Sequence, residues 1–570
     1  MYTSRPVLAS EEIRTRMGMV VAQHPLGSEI GLEVLQRGGN AVDAAVTTAF
    51  AMGVLQPLMN GIGGGGLMTV YMAAGGGGAI DYGMQAPGAA TTDEFPLEGG
   101  MEGMDTGSSR YSRNYAWPKV KDDMLSSGYK SIAIPGTVAG LSRALDEWGT
   151  ISLSDAIQPA IKLAEEGFAV GANFTLSTVA RRDLFLRFPA TAEIYYPDGY
   201  PIPVGGKLIQ KEHAETLRTL AAGGPDAFYK GEIAEKISAD VQANGGLLEA
   251  SDFAQYTPFL HRHGVLGEYR GYELMGLPGP TSGPTVMEIL NILSTFELTG
   301  TNHGDPAILH VIAEAIKLAA ADRFTWMGDP EKTGAPIGAL AVPEYGAERA
   351  KLIDRTQAGP AQPGNPWPYE GREKPADFPG PAGAAADDGT THITVVDKDR
   401  NAVALTQTNL AYSGVVNPGV GVMMNNGIGW SCPLPGTVNT IAPHARALNN
   451  MTPIVLLKNG DLAGALGASG GRRIWTAVAQ SLVHYIDQGM SLQGAVQAPR
   501  IHVEDGDVMI DGRFDHDTID GLKSRGHKVT IVTPRYDVAP YAEPNGIAVD
   551  GTDLRSAVYP VAKLTMAAGH

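Results

Sequence analysis

A single cysteine, Cys432, in 570 residues excludes an intramolecular disulfide and any cysteine-rich zinc site. Its plain reading is a small buried apolar side chain, and such sparing use of cysteine fits a reducing compartment. Long apolar runs are also missing. None reaches the roughly 18 to 20 residues that a membrane span needs, since even residues 454–466 are broken by Lys458 and Asp461. The start of the chain carries Arg5, Glu11, Glu12, Arg14 and Arg16 without an apolar stretch of signal-peptide kind, so we expect a soluble, cytoplasmic protein with no membrane partner. Positive charge is scarce: 43 Lys and Arg against 61 Asp and Glu leave a formal charge of -18, which offers no general field for phosphate backbones. Nucleic acid is therefore not expected as a partner.

What is present describes a globular α/β composition, 43% apolar with 73 glycines spent on turns and close approaches. Such a length exceeds one ordinary core, so two domains or one layered unit built from both halves is expected. Residues 24–57 space Leu26, Ile30, Val34, Val42, Ala45, Val46 and Phe50 as two helices broken at Gly38-Gly39. The glycines 61 and 63–66 then lead into a strand over 67–72. A dinucleotide fingerprint needs the opposite order, strand then glycines then helix, and a phosphate loop needs a closing Gly-Lys-Ser/Thr that is absent. Helical patterns follow at 138–148, 153–166, 214–222, 231–244, 285–296 and 307–322.

Seven prolines fall between residues 357 and 389 with few large apolar side chains, which reads as a flexible linker or tail. The composition switches at Thr390 to Thr-Thr-His-Ile-Thr-Val-Val-Asp, a strand, then a turn at 398–401 and a second strand over 402–408. A threonine hydroxyl is a weak nucleophile that needs an adjacent base, and the free amine of an N-terminal threonine, with a pKa near 8, supplies one. That mechanism calls for a peptide cut just before the nucleophile, where a linker meets a rigid strand. Gly389-Thr390 is such a place, and the chemistry calls for no cofactor.

Asp388-Gly389-Thr390-Thr391-His392, followed by residues 395–399, resembles the start of the small subunit of γ-glutamyltransferases. Further blocks at residues 24–45, 61–66, 135–140, 425–426, 451–453 and 467–474 resemble that family in order along nearly the whole chain. The resemblance implies an N-terminal-nucleophile hydrolase of α+β class, a four-layer αββα sandwich. It implies a large fragment 1-389 and a small fragment 390-570 that stay together as a heterodimer and act on a small-molecule amide. Thr390 is then the nucleophile, with Thr408 orienting it as the hairpin brings the two together. Gly470 and Gly471 supply backbone N–H groups for the oxyanion, backed by a helix starting near Ile474.

The glutamyl-binding pattern departs from the family. Gly83 stands where an arginine would clamp the substrate carboxylate, and Met84 replaces the following glutamate. Gly427 and Trp430 fall where a Glu or Gln and an amine-binding aspartate belong. Asn449 and Asn450 replace a serine pair, and Asn409 falls one place early against the family's asparagine. Gly83, Met84 and Trp430 point to a roomier, less polar pocket and to an acyl group other than that of glutathione. Relatives with similarly altered pockets include cephalosporin-type acylases, an oxamate-type amidohydrolase branch and biosynthetic homologues that cleave a carbon–carbon bond. Three other readings stand beside this one. Ser469 sits in a G-x-S-x-G pattern that would make it an elbow nucleophile, with His516 or His527 behind it. His261, His263 and His310 would need a compact carboxylate or cysteine set to hold a metal, and no metal site is expected. A protein that kept the fold without turnover is the third.

Overall fold

The structure, a computed structural model, describes residues 10–98, 118–382, 389–534, 540–559 and 565–570. Two seven-stranded sheets lie at its centre. The first runs Arg14–Thr15, Asp553–Val558, Glu543–Asp550, Asp461–Ser469, Ile454–Lys458, Tyr272–Met275, Val265–Tyr269. The second runs Met566–Gly569, Met19–Ala22, Thr391–Val396, Ala402–Thr408, Gly65–Tyr71, Gly78–Tyr82, Phe259–His261. Every pairing in both is antiparallel.

Alternation along the strands explains the layers. In Thr391–Val396, Ile393 and Val395 turn toward the helices, whereas Val396 joins Ala402, Ala404, Val455, Ala465 and Ile547 in the core between the sheets. Both faces are covered at the centre, so the strands Thr391–Val396 and Ala402–Thr408 are buried throughout. On the second sheet's outer face lies the helix Ala41–Leu55, buried along its whole length because Leu153–Glu166 packs over it. Its start is fixed by a capping box between Asn40 and Asp43. The helices Gly283–Leu293, Pro306–Trp326 and Ile474–Ile486 cover the first sheet. The architecture is the four-layer α+β sandwich, and the helices and the hairpin fall where the spacing places them within a few residues. The patterns at 214–222 and 307–322 extend to Lys211–Tyr229, bent at Gly224, and to Pro306–Trp326.

The proline-rich stretch differs from its reading as a flexible linker. Trp367 is fully buried, Phe378 lies edge-on to it at 5.1 Å, and the Ala382 amide bonds Phe324 O at 2.8 Å. Polar side chains on Pro306–Trp326 hold its backbone. Lys317 donates to Gly359 O (2.7 Å), Glu314 accepts from Gly359 N (3.0 Å) and Asp322 from Gly364 N (2.6 Å). Composition missed this because scattered aromatic side chains and backbone groups, not a run of apolar residues, do the anchoring. Replacing Trp367 by alanine is predicted to cost about 3–5 kcal/mol of local stability. Protease cleavage within 357–382 should then accelerate at least about tenfold, and an unchanged cleavage rate would refute the anchoring role.

Candidate active site

The hairpin sets the site. Thr391 pairs with Gln407, so the next residues outward, Thr390 and Thr408, face each other across it. Their hydroxyl oxygens lie 3.4 Å apart, and both are buried. The carbonyl oxygen of the Gly389-Thr390 peptide accepts from the Thr390 hydroxyl at 2.5 Å and from the Thr408 hydroxyl. A hydroxyl has one proton to give. Because Thr408 Oγ1 accepts from Leu410 N at 2.7 Å, that proton is left for an oxygen, the Gly389 carbonyl or Thr390. Leu410 reaches this geometry in the left-handed region, at φ 61°. Gly389 is hemmed in as well: a Cβ there would meet Leu410 O at 1.9 Å.

His392 lies between the sheets, with Nδ1 2.7 Å from Thr406 Oγ1 and Nε2 3.0 Å from Thr394 Oγ1. Burial lowers its pKa to about 3, so the ring is neutral. Gln23 ties this strand to the facing sheet. Its Oε1 accepts from His392 N at 3.2 Å and its Nε2 donates to Ser469 Oγ at 2.6 Å. Just beyond Ser469, Gly470 and Gly471 take φ 125° and 61°, and Arg473 Nε donates to Gly470 O at 3.0 Å. A Cβ at Gly470 would lie 2.7 Å from Ala542 Cα, so the turn requires glycine twice over. A 3-10 turn, Gly471–Arg473, precedes the helix Ile474–Ile486. Ser469 ends an antiparallel strand rather than forming the strand-to-helix elbow of a parallel sheet, which removes the context its G-x-S-x-G pattern needed.

Around this centre Asn409 holds the preceding loop, donating to Pro57 O at 3.1 Å while its amide N–H bonds Met59 O at 2.9 Å. Its Oδ1 is buried without a hydrogen bond among the described residues. The Gly83 amide donates to Asp81 Oδ1 at 2.9 Å, and a Cβ at Gly83 would meet only that oxygen. Gly427 is packed rather than roomy: a Cβ there would lie 2.8 Å from Ala133 Cβ and 2.9 Å from Met84 Sδ. Trp430 is buried and accepts at its carbonyl from Asn439 Nδ2 at 2.7 Å. Of the pocket expected to be roomier at Gly83, Met84 and Trp430, the Gly83 side is open, whereas the Met84 thioether packs closely against Gly427. Asn449 O and Asn450 Oδ1 both accept from Arg323, at 2.7 and 3.0 Å. The family blocks pointed to Thr390 and Thr408 and the hairpin spacing fits them, whereas Gln23 has partners 369 and 446 residues along the chain that no local pattern signals.

A family model described as gamma-glutamyltranspeptidase matches residues 27–563. The chain belongs to the gamma-glutamyltranspeptidase family. It is 37% identical over 521 residues to the acylase ACY 1 proenzyme of Pseudomonas sp. (strain SE83), covering 91% of this chain and 88% of that one. The glutathione hydrolase proenzyme of Escherichia coli (strain K12) is 35% identical over 539 residues, with 91% and 87% covered. Among solved structures, cephalosporin acylase from Bacillus halodurans superposes with a TM-score of 0.82 at 27% identity, over 100% of this chain and 98% of that one. The family makes the chain an N-terminal-nucleophile hydrolase.

The histidines weighed as metal ligands separate. His261 sits on the edge strand Phe259–His261, whereas His310 meets His527 at 2.8 Å with Glu314 beside them. Glu314 is the carboxylate the spacing argument overlooked, one helical turn from His310. Its Oε1 is taken by Lys317 Nζ at 2.6 Å, and His310 Nε2 bonds Asp354 O at 2.7 Å, so the group forms a closed polar network.

Gly389→Ala is predicted to slow any cut at residue 389 at least about tenfold by displacing the carbonyl, read as fragment appearance over time on denaturing gels. An unchanged rate would contradict the tight fit. Burial also lowers the pKa of His213 to about 4 and of His392 and His484 to about 3, against about 6.5 unfolded. Below pH 6.5 the unfolded chain takes up protons that the folded chain refuses until pH 3 to 4, so stability falls as pH drops through that window. The melting temperature should stay level near pH 7 and decline from about pH 6.5 toward 4; a flat profile would rule this out.

Proposed function

We propose that this chain cuts itself at Gly389-Thr390 and then uses Thr390 to hydrolyse, or transfer, the acyl group of a small amide other than glutathione. The observation that carries the reading is the Thr390 hydroxyl lying against the Gly389 carbonyl with the Thr408 hydroxyl beside it. In the cut, Thr390 Oγ1 bonds to the Gly389 carbonyl carbon, the C–N bond breaks, and the nitrogen gains the proton to become a free amine. Water then hydrolyses the Gly389 ester, leaving a carboxylate and restoring the hydroxyl. The freed amine is the base that activates Thr390 toward substrate. A substrate acyl carbon bonds to Oγ1, the amine product leaves with a proton, and water or a second amine completes turnover. Gly470 and Gly471 N–H groups stabilise the oxyanion.

The choice against glutathione rests on charge. Burying an α-carboxylate and an α-amine without partners costs several kcal/mol, and Gly83, Met84, Gly427 and Trp430 offer no charged side chain. The likeness to an acylase points the same way. A glutathione hydrolase is the second reading, favoured by 35% identity to the Escherichia coli enzyme. The two fragments remain one heterodimer, and we place the protein in the cytoplasm.

Dividing 59.8 kDa in proportion to 389 and 181 residues gives fragments of about 41 and 19 kDa, the smaller beginning TTHIT. Thr390→Ala should persist as one full-length band. A chromogenic γ-glutamyl anilide should be turned over weakly or not at all. Robust release that Thr390→Ala abolishes would establish the glutathione hydrolase reading instead, and an uncut wild-type chain would remove both.

A further inference from the structure

Near the strand that Thr390 begins lies a cleft that shares no residue with the Gly83, Met84, Gly427 and Trp430 group. One wall is the end of the helix Ala41–Leu55 and the turn after it, with Leu55, Leu58 and Met59; the other carries Phe168, Val170 and Phe174. No Asp, Glu, Lys or Arg lines it. Its polar groups are few: Gln23, His24, Gln56, Asn173 and Ser177. Apolar walls with a sparse polar set have the chemistry of a site for a small organic group.

Its wall reaches the reacting centre at three points. Gln56 Oε1 accepts from Thr391 Oγ1 at 3.2 Å, and Met59 O accepts from Asn409 N at 2.9 Å. Leu58 O lies 3.5 Å from where a Cβ of Gly389 would stand. The turn that carries Leu58 and Met59 therefore packs against the Gly389-Thr390 peptide and the start of the strand after it. His24 Nδ1 accepts from Leu26 N at 3.2 Å, which places the ring proton on Nε2 and makes the imidazole a neutral donor. Burial, which lowers the His24 pKa to about 4, keeps it so at neutral pH.

An amide has two arms, and two separate groups of residues flank this nucleophile. We propose that the cleft between Leu55–Met59 and Phe168–Phe174 receives the amine arm of the substrate, and that this arm carries an uncharged apolar or aromatic body. The assignment rests on the amide-hydrolase reading and sharpens it, because the amine product of glutathione is a charged dipeptide that these walls would leave unpaired.

The test uses the processed wild-type enzyme and 1-naphthylamine, a fluorescent aromatic amine standing in for the product. Saturable binding is expected, weakened at least tenfold by Phe174→Asp, which puts a charge into the wall. Ala172→Trp, which fills the same space with an apolar ring, should weaken it as much and serves where the aspartate disturbs the Phe174 contact with Tyr195. Self-cleavage of both variants reports that they fold. Across one acyl group, either variant should raise KM for the naphthylamide at least fivefold with kcat retained, and leave KM for the primary amide unchanged. Unaltered 1-naphthylamine binding in both variants would overturn the assignment, as would a complex with the ring among Met84, Gly427 and Trp430. An uncut wild-type chain would instead fail the reading beneath it.

Discussion

One carbonyl oxygen organises this protein. Gly389 O is held between the hydroxyls of Thr390 and Thr408, and each requirement of that contact is met by a separate piece of structure. The hairpin register brings the threonines opposite each other. Leu410, turned left-handed, aims its N–H at Thr408 Oγ1 and so directs where the Thr408 proton goes. A left-handed leucine costs about 1–2 kcal/mol, and a second non-glycine residue of this kind, Tyr412 at φ 53°, follows two positions on. Strain sits where the strand must end abruptly to aim at a reacting bond, and two fully covered sheets hold it there.

The facing sheet completes the centre through one side chain. Gln23 comes from the strand end beside Thr391–Val396, yet it joins the His392 amide to Ser469, next to Gly470 and Gly471. The strand that follows Thr390 and the Gly470-Gly471 turn belong to different sheets. Their relative position therefore depends on a neutral amide that can donate to one and accept from the other, a task neither a carboxylate nor an ammonium could perform.

How much of this was legible in the sequence follows from the range of each interaction. The helices at Pro25–Gln36 and Ala41–Leu55 and the hairpin at Thr391–Thr408 announce themselves by period and by turn residues within a short window. The switch in composition at Thr390 marks the start of a strand, and the family blocks supply the layered fold and single out Thr390. The docking of the proline-rich stretch was not legible, because a few scattered aromatic side chains, Trp367 and Phe378 among them, and backbone bonded to the helix Pro306–Trp326 hold it. Nor was the meeting of His310 with His527, which lie 217 residues apart. The tight contact of Met84 with Gly427 also escaped, since small and flexible residues look like empty space until their neighbours are placed.

The strand order has a consequence for the history of each molecule. In the second sheet, Met566–Gly569 and Thr391–Val396 flank Met19–Ala22, and Ala402–Thr408 abuts Gly65–Tyr71, so the segments before and after residue 389 are interleaved. Once the link between them is severed, assembly that was unimolecular becomes a second-order encounter in which each partner must thread between strands of the other. Folding has to precede scission, and a cut molecule that is later unfolded regains its form at a rate that falls with dilution. The enzyme thus ages in one direction, with covalent continuity spent once as a folding template.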